Sequence, residues 1–182
     1  MVTAAGGLVG EVVQVWKPKQ LNTFETEWGF SCMGYEISGA LGIKMAKPDQ
    51  DVVVFVGDGS YLLNNTDIYS SVIYDQKLII IVCDNGGHMV INRLQLAKGG
   101  KEYICNLRAA RATNLKFVDF ENHAKSMGAN AETVSSTSEL EAAYKRAKDS
   151  DKTYVITIKT HGYEWLEGLS LIHISEPTRL VS

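Results

Sequence analysis

The 182-residue sequence has only three prolines and three cysteines, no excess of positive charge and no long apolar run. With 45% hydrophobic and 21% charged residues, so little proline excludes a disordered or low-complexity chain. At about 150 residues per domain, the length suits one domain with a short appendage. Cys32, Cys83 and Cys105 lie far apart without a C-x-x-C pair, which argues against a disulfide framework and against a cysteine zinc site. Eighteen basic against 21 acidic residues give a net charge of −3, so no bulk basic field draws nucleic acid or an anionic membrane. No stretch of about 18 apolar residues exists, and the N-terminus lacks the pattern of a signal peptide. The expectation is a cytoplasmic protein that touches neither nucleic acid nor membrane.

What is present is alternation of strand and helix. Val52 to Val56 and Leu78 to Val82 are short β-branched runs, apolar on both pleat faces, as buried parallel strands are. Tyr154 to Ile158 is a third run of β-formers, and Val2 to Ala5 begins a fourth. Between them, Ile37, Ala40, Leu41 and Met45 share helical spacing from about Gly34 to Ala46, and a helix from about Thr66 to Tyr74 follows Asn65 as N-cap. Phe120, Ala124 and Met127 form an apolar stripe closed by Gly128. Ser138-Glu139-Leu140-Glu141 reads as a capping box opening a helix with Leu140, Ala143, Tyr144 and Ala147 inward. Strands alternating with helices predict an α/β fold with a parallel sheet.

The first apolar run leads into Gly57-Asp58-Gly59-Ser60 and the second into Asp84-Asn85-Gly86-Gly87, so two glycine-rich turns fall at carboxyl ends of parallel strands. Ligands of open α/β sheets bind at that edge, where helix N-termini and free amides converge. Glycines beside an acid admit an anion to the backbone, and a carboxylate, an amide oxygen and a carbonyl are hard ligands suited to Mg²⁺. Together they point to a magnesium-bridged diphosphate. Alone, G-D-G-S is equally a tight strand-to-helix turn. Its spacing is more telling, because the 27 positions from Asp58 to Asn85 span a helix and a strand and return both residues to one crevice.

This pattern resembles the thiamine diphosphate (ThDP) enzyme family, whose motif is G-D-G followed after a βαβ unit by a terminal Asn. The resemblance implies a three-layer α/β/α fold with a central, mostly parallel sheet. It makes Asp58, the Asn85 side chain and the Gly87 carbonyl the Mg²⁺ ligands, with Gly57, Gly59, Ser60 and Gly87 against the cofactor. The usual Asn-Asn pair is here Asp84-Asn85, a departure at the non-ligating position only. Read without its neighbours, Met33 is an ordinary core methionine. By the resemblance, Met33 sits under the cofactor and holds it bent, and Gly6 and Gly7 match a loop close to the diphosphate.

Trp28 to Glu36, the Gly57 to Tyr61 turn and Asp84 to Leu94 together resemble the branch of the family that hydrolyses a cyclic 1,2-diketone, 3D-(3,5/4)-trihydroxycyclohexane-1,2-dione, to 5-deoxy-glucuronate in inositol catabolism. The implied unit is that branch's C-terminal ThDP-binding domain, covering residues 1–168. A lyase or decarboxylase domain like acetolactate synthase would share Asp58, Asn85 and Gly87, and a catalytically silent fragment is the third reading. Cleaving a carbon–carbon bond beside a carbonyl needs an electron sink, which the thiazolium ring offers and no side chain does. His88, beside the metal turn, is a candidate proton carrier or a bystander, and His123 reads as exposed. Lys98-Gly99-Gly100-Lys101 is a solvated loop or a lid.

The family activates the cofactor with a glutamate from a separate pyrimidine-binding domain. Glu11, Glu25, Glu27 and Glu36 do not occupy its position. The expectation is therefore a partial chain that works in a homo-oligomer, with the pyrimidine-binding domain of another subunit. Residues 169–182, apolar at Leu169 and then polar with Pro177, read as a non-native segment or a mobile tail.

Overall fold

In the computed structural model of the chain, residues 1–27, 29–111, 114 and 117–164 are described. The expectations for residues 169–182 lie outside them. A six-stranded, wholly parallel sheet has β1 (Val2–Thr3), β2 (Glu25–Thr26), β3 (Val53–Gly57), β4 (Ile79–Asp84), β5 (Asn130–Val134) and β6 (Tyr154–Lys159) in the order β2-β1-β3-β4-β6-β5. The helices are α1 (Gly7–Val15), α2 (Tyr35–Ala46), α3 (Asp58–Leu63), α4 (Asp67–Ile73), α5 (Met89–Ala97), α6 (Phe120–Ser126) and α7 (Thr137–Asp149).

Alternate strand residues supply two cores. Val54, Val56, Ile80 and Val82 pack with Ile37, Ala40 and Leu41 of α2, Ile68 of α4, and Phe120 and Ala124 of α6. Val53, Ile79, Ile81 and Ile156 face the other way, against Ala143 and Ala147 of α7. Trp16, which ends α1, meets Phe55 edge-on with ring centroids 6.3 Å apart, on that second face. The expected three layers thus follow from strands apolar on both sides. Each fully buried Val, Leu or Ile contributes about 1.5–3 kcal/mol. Among the described residues no helix is long and apolar enough to cross a membrane.

Several local expectations need correction. Met45 is exposed, because one turn beyond Leu41 the buried face of α2 has ended. Thr66, not Asn65, is the N-cap residue of α4, and the Asn65 amide instead donates to the Tyr61 carbonyl at 3.1 Å. The capping box of α7 starts at Ser136, not Ser138: the Ser136 hydroxyl accepts from the Glu139 N–H at 3.2 Å, and the Glu139 carboxylate accepts from the Ser135 N–H at 2.8 Å. His123 is half-buried rather than exposed, with its Nδ1 2.9 Å from the Tyr61 hydroxyl.

Candidate functional site

The register of β3 and β4 builds the site. Gly57 stands opposite Cys83, so the two strands release Asp58 and Asn85 at the same sheet edge. Both line a cavity of about 950 Å³. Its walls are the 4–10 segment at the end of β1, the turn before α2 that carries Phe30, Ser31 and Met33, the Gly57–Ser60 turn, and Asn85, Gly87 and His88 after β4. The structure thereby gathers Gly6, Gly7, Met33, Gly57, Asp58, Gly59, Ser60, Asn85, Gly87 and His88 around one space. Residues 98–101 are not among its lining, and Gln95 at the end of α5 ties them back through its amide to the Lys101 carbonyl at 2.6 Å.

Asp58 begins α3 and is only 4% exposed. Its Oδ2 accepts from the N–H groups of Gly86 at 3.1 Å and Gly87 at 2.7 Å. Burial, and next the charge of Asp84, push its carboxyl up to about 6, while the Gly59, Gly87 and Gly86 amides pull the other way. Asp84 is itself buried, accepts from the Gly86 N–H at 3.1 Å and pairs with Lys159, its register partner at the end of β6. Two carboxylates thus crowd one turn, with a single neighbouring ammonium against them. A divalent cation would relieve that imbalance.

Among the described residues Asn85 has a buried Oδ1 without a hydrogen-bond partner, as do Gln76 at Oε1 and Asn92 at Oδ1, but of these three only Asn85 lines the cavity. A stranded acceptor costs about 1–3 kcal/mol, which a ligand entering the cavity would offset. The Gly87 carbonyl already accepts from the Met89 N–H at 2.9 Å and keeps one lone pair. Gly87 must be glycine, since its φ is +137° and a Cβ would meet the Cys105 carbonyl oxygen at 2.3 Å. An antiparallel bridge to Asn106 and the Leu107 N–H on the Gly86 carbonyl, 3.0 Å, hold the turn from outside.

Met33 is 37% exposed and faces the cavity, so it is not a core methionine. The His88 imidazole lies on Gly59, where a Cβ would meet the ring at 2.5 Å. Ser60 lines the cavity, yet its hydroxyl bonds away from it, to Glu36 and Gly34.

Residues 4–158 match the family described as thiamine pyrophosphate enzyme, C-terminal TPP binding domain. The chain belongs to this family. Thiamine pyrophosphate is thiamine diphosphate, so this ThDP-binding domain takes that cofactor. It is 38% identical over 179 residues to the 3D-(3,5/4)-trihydroxycyclohexane-1,2-dione hydrolase of Halalkalibacterium halodurans, covering 93% of this chain and 28% of that protein. The hydrolase of the same name from Bacillus subtilis is 35% identical over 182 residues, covering 97% of this chain and 28% of its own length. The chain therefore spans about 28% of the curated relatives it matches. Among solved structures, benzoylformate decarboxylase from Polynucleobacter necessarius superposes with a TM-score of 0.74 at 21% identity, over 91% of this chain and 31% of that one. A thiamine diphosphate-dependent 4-hydroxybenzoylformate decarboxylase from Rhodococcus jostii RHA1 gives 0.70 at 19%, over 92% and 30%. These two share the fold.

The ThDP-binding domain has a donor set that suits a metal diphosphate. It offers a buried carboxylate, a stranded amide oxygen and a half-used carbonyl, all hard oxygens. Beside them, a Cβ at Gly6 or Gly57 would meet no protein atom within 4 Å, so the backbone is open to close approach there. Two features were missed by sequence reasoning. The Asp84–Lys159 pair depends on strand register across β4 and β6, which nothing local reveals. Glu36 turns out to be a buried carboxylate, and the signal was its place between Ile37 and the Met33-Gly34 turn at the start of the buried face of α2.

Proposed function

We propose that this chain is the ThDP- and Mg²⁺-binding domain of an enzyme that hydrolyses 3D-(3,5/4)-trihydroxycyclohexane-1,2-dione, with 5-deoxy-glucuronate as product. The observation that carries the metal reading is the stranded Asn85 oxygen beside the buried Asp58 at one sheet edge. The substrate reading rests on the curated relatives, named for that hydrolysis at 35–38% identity. Asp58, the Asn85 amide oxygen and the Gly87 carbonyl would hold Mg²⁺. Gly6, Gly7, Gly57, Gly59, Ser60 and Gly87 would bring backbone against the diphosphate, and Met33 would support the rest of the cofactor. When bound, ThDP supplies the electron sink that carbon–carbon cleavage beside a carbonyl requires. The side chains then bind, orient and move protons. His88, on the cavity wall over Gly59, is the candidate to hold a proton near the substrate. The rest of the machinery, including the activating glutamate, would come from a pyrimidine-binding domain of another subunit.

Calorimetric titration of the chain with ThDP and Mg²⁺ tests the metal reading. Wild type is expected to bind only with the cation present, and Asp58→Ala is expected to lose that dependence with at least a tenfold drop in affinity; unchanged affinity would sink the assignment. Assaying the complete enzyme with the cyclic dione against a 2-oxo acid tests the substrate reading. Turnover of the 2-oxo acid alone would favour a decarboxylase.

A further inference from the structure

Glu36 is 1% exposed, and neither metal nor cofactor binding as proposed above uses it. Its carboxylate lies between the turn before α2 and the Gly57–Ser60 turn. Oε2 accepts from the Gly34 N–H at 3.0 Å, and both carboxylate oxygens lie 2.8 Å from the Ser60 hydroxyl. The Ser60 oxygen in turn accepts from the Gly34 N–H at 2.7 Å. Gly34 follows Met33 directly, and its φ of +91° is one that glycine adopts without strain and a side chain would not. On the far side of the same turn, the Asn64 amide donates to the Gly34 carbonyl at 3.1 Å and to the Ser38 hydroxyl at 2.9 Å.

Burying a carboxylate is expensive, and a helix start needs only one acceptor for its first amides. A serine or aspartate at the surface would cap α2 without that cost. What the buried position adds is cross-linking. An ionised carboxylate accepts several hydrogen bonds and donates none, so it can gather N–H and O–H donors from separate segments at one point.

We propose that Glu36 is a positioning residue that sets the Met33 turn and the Asp58–Ser60 turn in mutual register, and so fixes the spacing between the metal end of the cofactor site and the methionine wall. The proposal rests on the ThDP reading of the cavity. It extends that reading to a residue that touches neither cofactor nor metal.

The test uses the full chain carrying Glu36→Gln, with Ser60→Ala as a second variant that breaks the bridge while leaving the carboxylate. Amide hydrogen exchange without ligand is expected to accelerate in residues 29–35 and 57–63 of E36Q, while β4 and β6 keep wild-type protection. Affinity for ThDP with Mg²⁺ is expected to fall about tenfold, S60A is expected to reproduce the release of 29–35, and the double variant is expected to add little. Wild-type exchange in those segments, or uniform loss of protection across the sheet, would overturn the proposal, as would local release with unchanged affinity. If wild type itself binds no ThDP, the reading of the cavity fails, and the exchange pattern alone decides whether Glu36 joins the two turns. Should E36Q not fold, S60A carries the same comparison.

Discussion

Asp58 and Asn85 stand out in sequence because glycines flank them at predictable strand ends, and their separation matches one βαβ unit. Met33 and Glu36 do not stand out in this way. A methionine in a turn is indistinguishable from a core residue until the fold shows it facing a cavity, and a glutamate in a first helical turn is ordinarily a solvated cap. Glu36 is buried where Ser60, distant in sequence, meets the Gly34 turn beside it. His88 is a case that one atom can test. Gly59 lies in α3 at an ordinary helical φ, so Gly59→Ala costs the backbone nothing and improves helix propensity by up to about 1 kcal/mol. The added methyl would strike the imidazole at 2.5 Å, and the exposed ring can move away. We expect the His88 ring proton signals in NMR to shift while stability changes by less than about 1 kcal/mol. An unmoved ring signal would refute the packing of His88 on Gly59.

At the scale of elements, the central strands were legible because Val52 to Val56 and Leu78 to Val82 are apolar on both faces, which only a doubly covered sheet tolerates. β5 was not, since Asn-Ala-Glu-Thr-Val at a sheet edge carries polar residues outward and has too little β-branched character to register. α1 was hidden for a related reason: Gly7, Gly10 and four valines give poor helix propensity, and Val9 and Val12 form a helix because burial favours it. The edge is held by Glu132 of β5. Its carboxylate accepts Arg146 Nε at 2.9 Å and Nη2 at 2.5 Å from α7, and the Tyr154 hydroxyl at 2.6 Å from β6. Arg146, foremost among these partners, holds the Glu132 carboxyl below its usual value of 4.5. A lowered folded value means the stabilisation is fully present above the unfolded pKa and lost as pH falls through the folded one. In urea denaturation, wild type should exceed Glu132→Gln by roughly 1 kcal/mol or less near neutral pH, because the pair is partly exposed. That margin should shrink below about pH 4.5; a margin that grows with acid would contradict the sign.

For the whole molecule, parallel layering places both glycine-rich turns at one edge, and stability there is set against binding. A buried amide oxygen at Asn85 that finds no partner among the described residues, and two carboxylates crowded at Asp58 and Asp84, each cost the fold stability. A bound cation would offset both. A ligand that binds the folded chain alone stabilises it by RT ln(1 + [L]/Kd), about 2.7 kcal/mol at a hundredfold excess over Kd. At roughly 2–4 °C per kcal/mol for a chain of this size, ThDP with Mg²⁺ should raise the unfolding midpoint by about 5–10 °C. Asn85→Ala removes the stranded oxygen, which costs about 1–3 kcal/mol where it stands. Truncation also loses packing, so the ligand-free variant should unfold within about 1 kcal/mol of wild type or above it. Its response to ThDP and Mg²⁺ should instead collapse, because the orphaned atom is one the cation would use. Scanning calorimetry of both chains, with and without cofactor and cation, separates the outcomes. A variant destabilised by several kcal/mol without ligand, yet still shifted upward like wild type, would mean that the Asn85 oxygen serves the fold and not the metal.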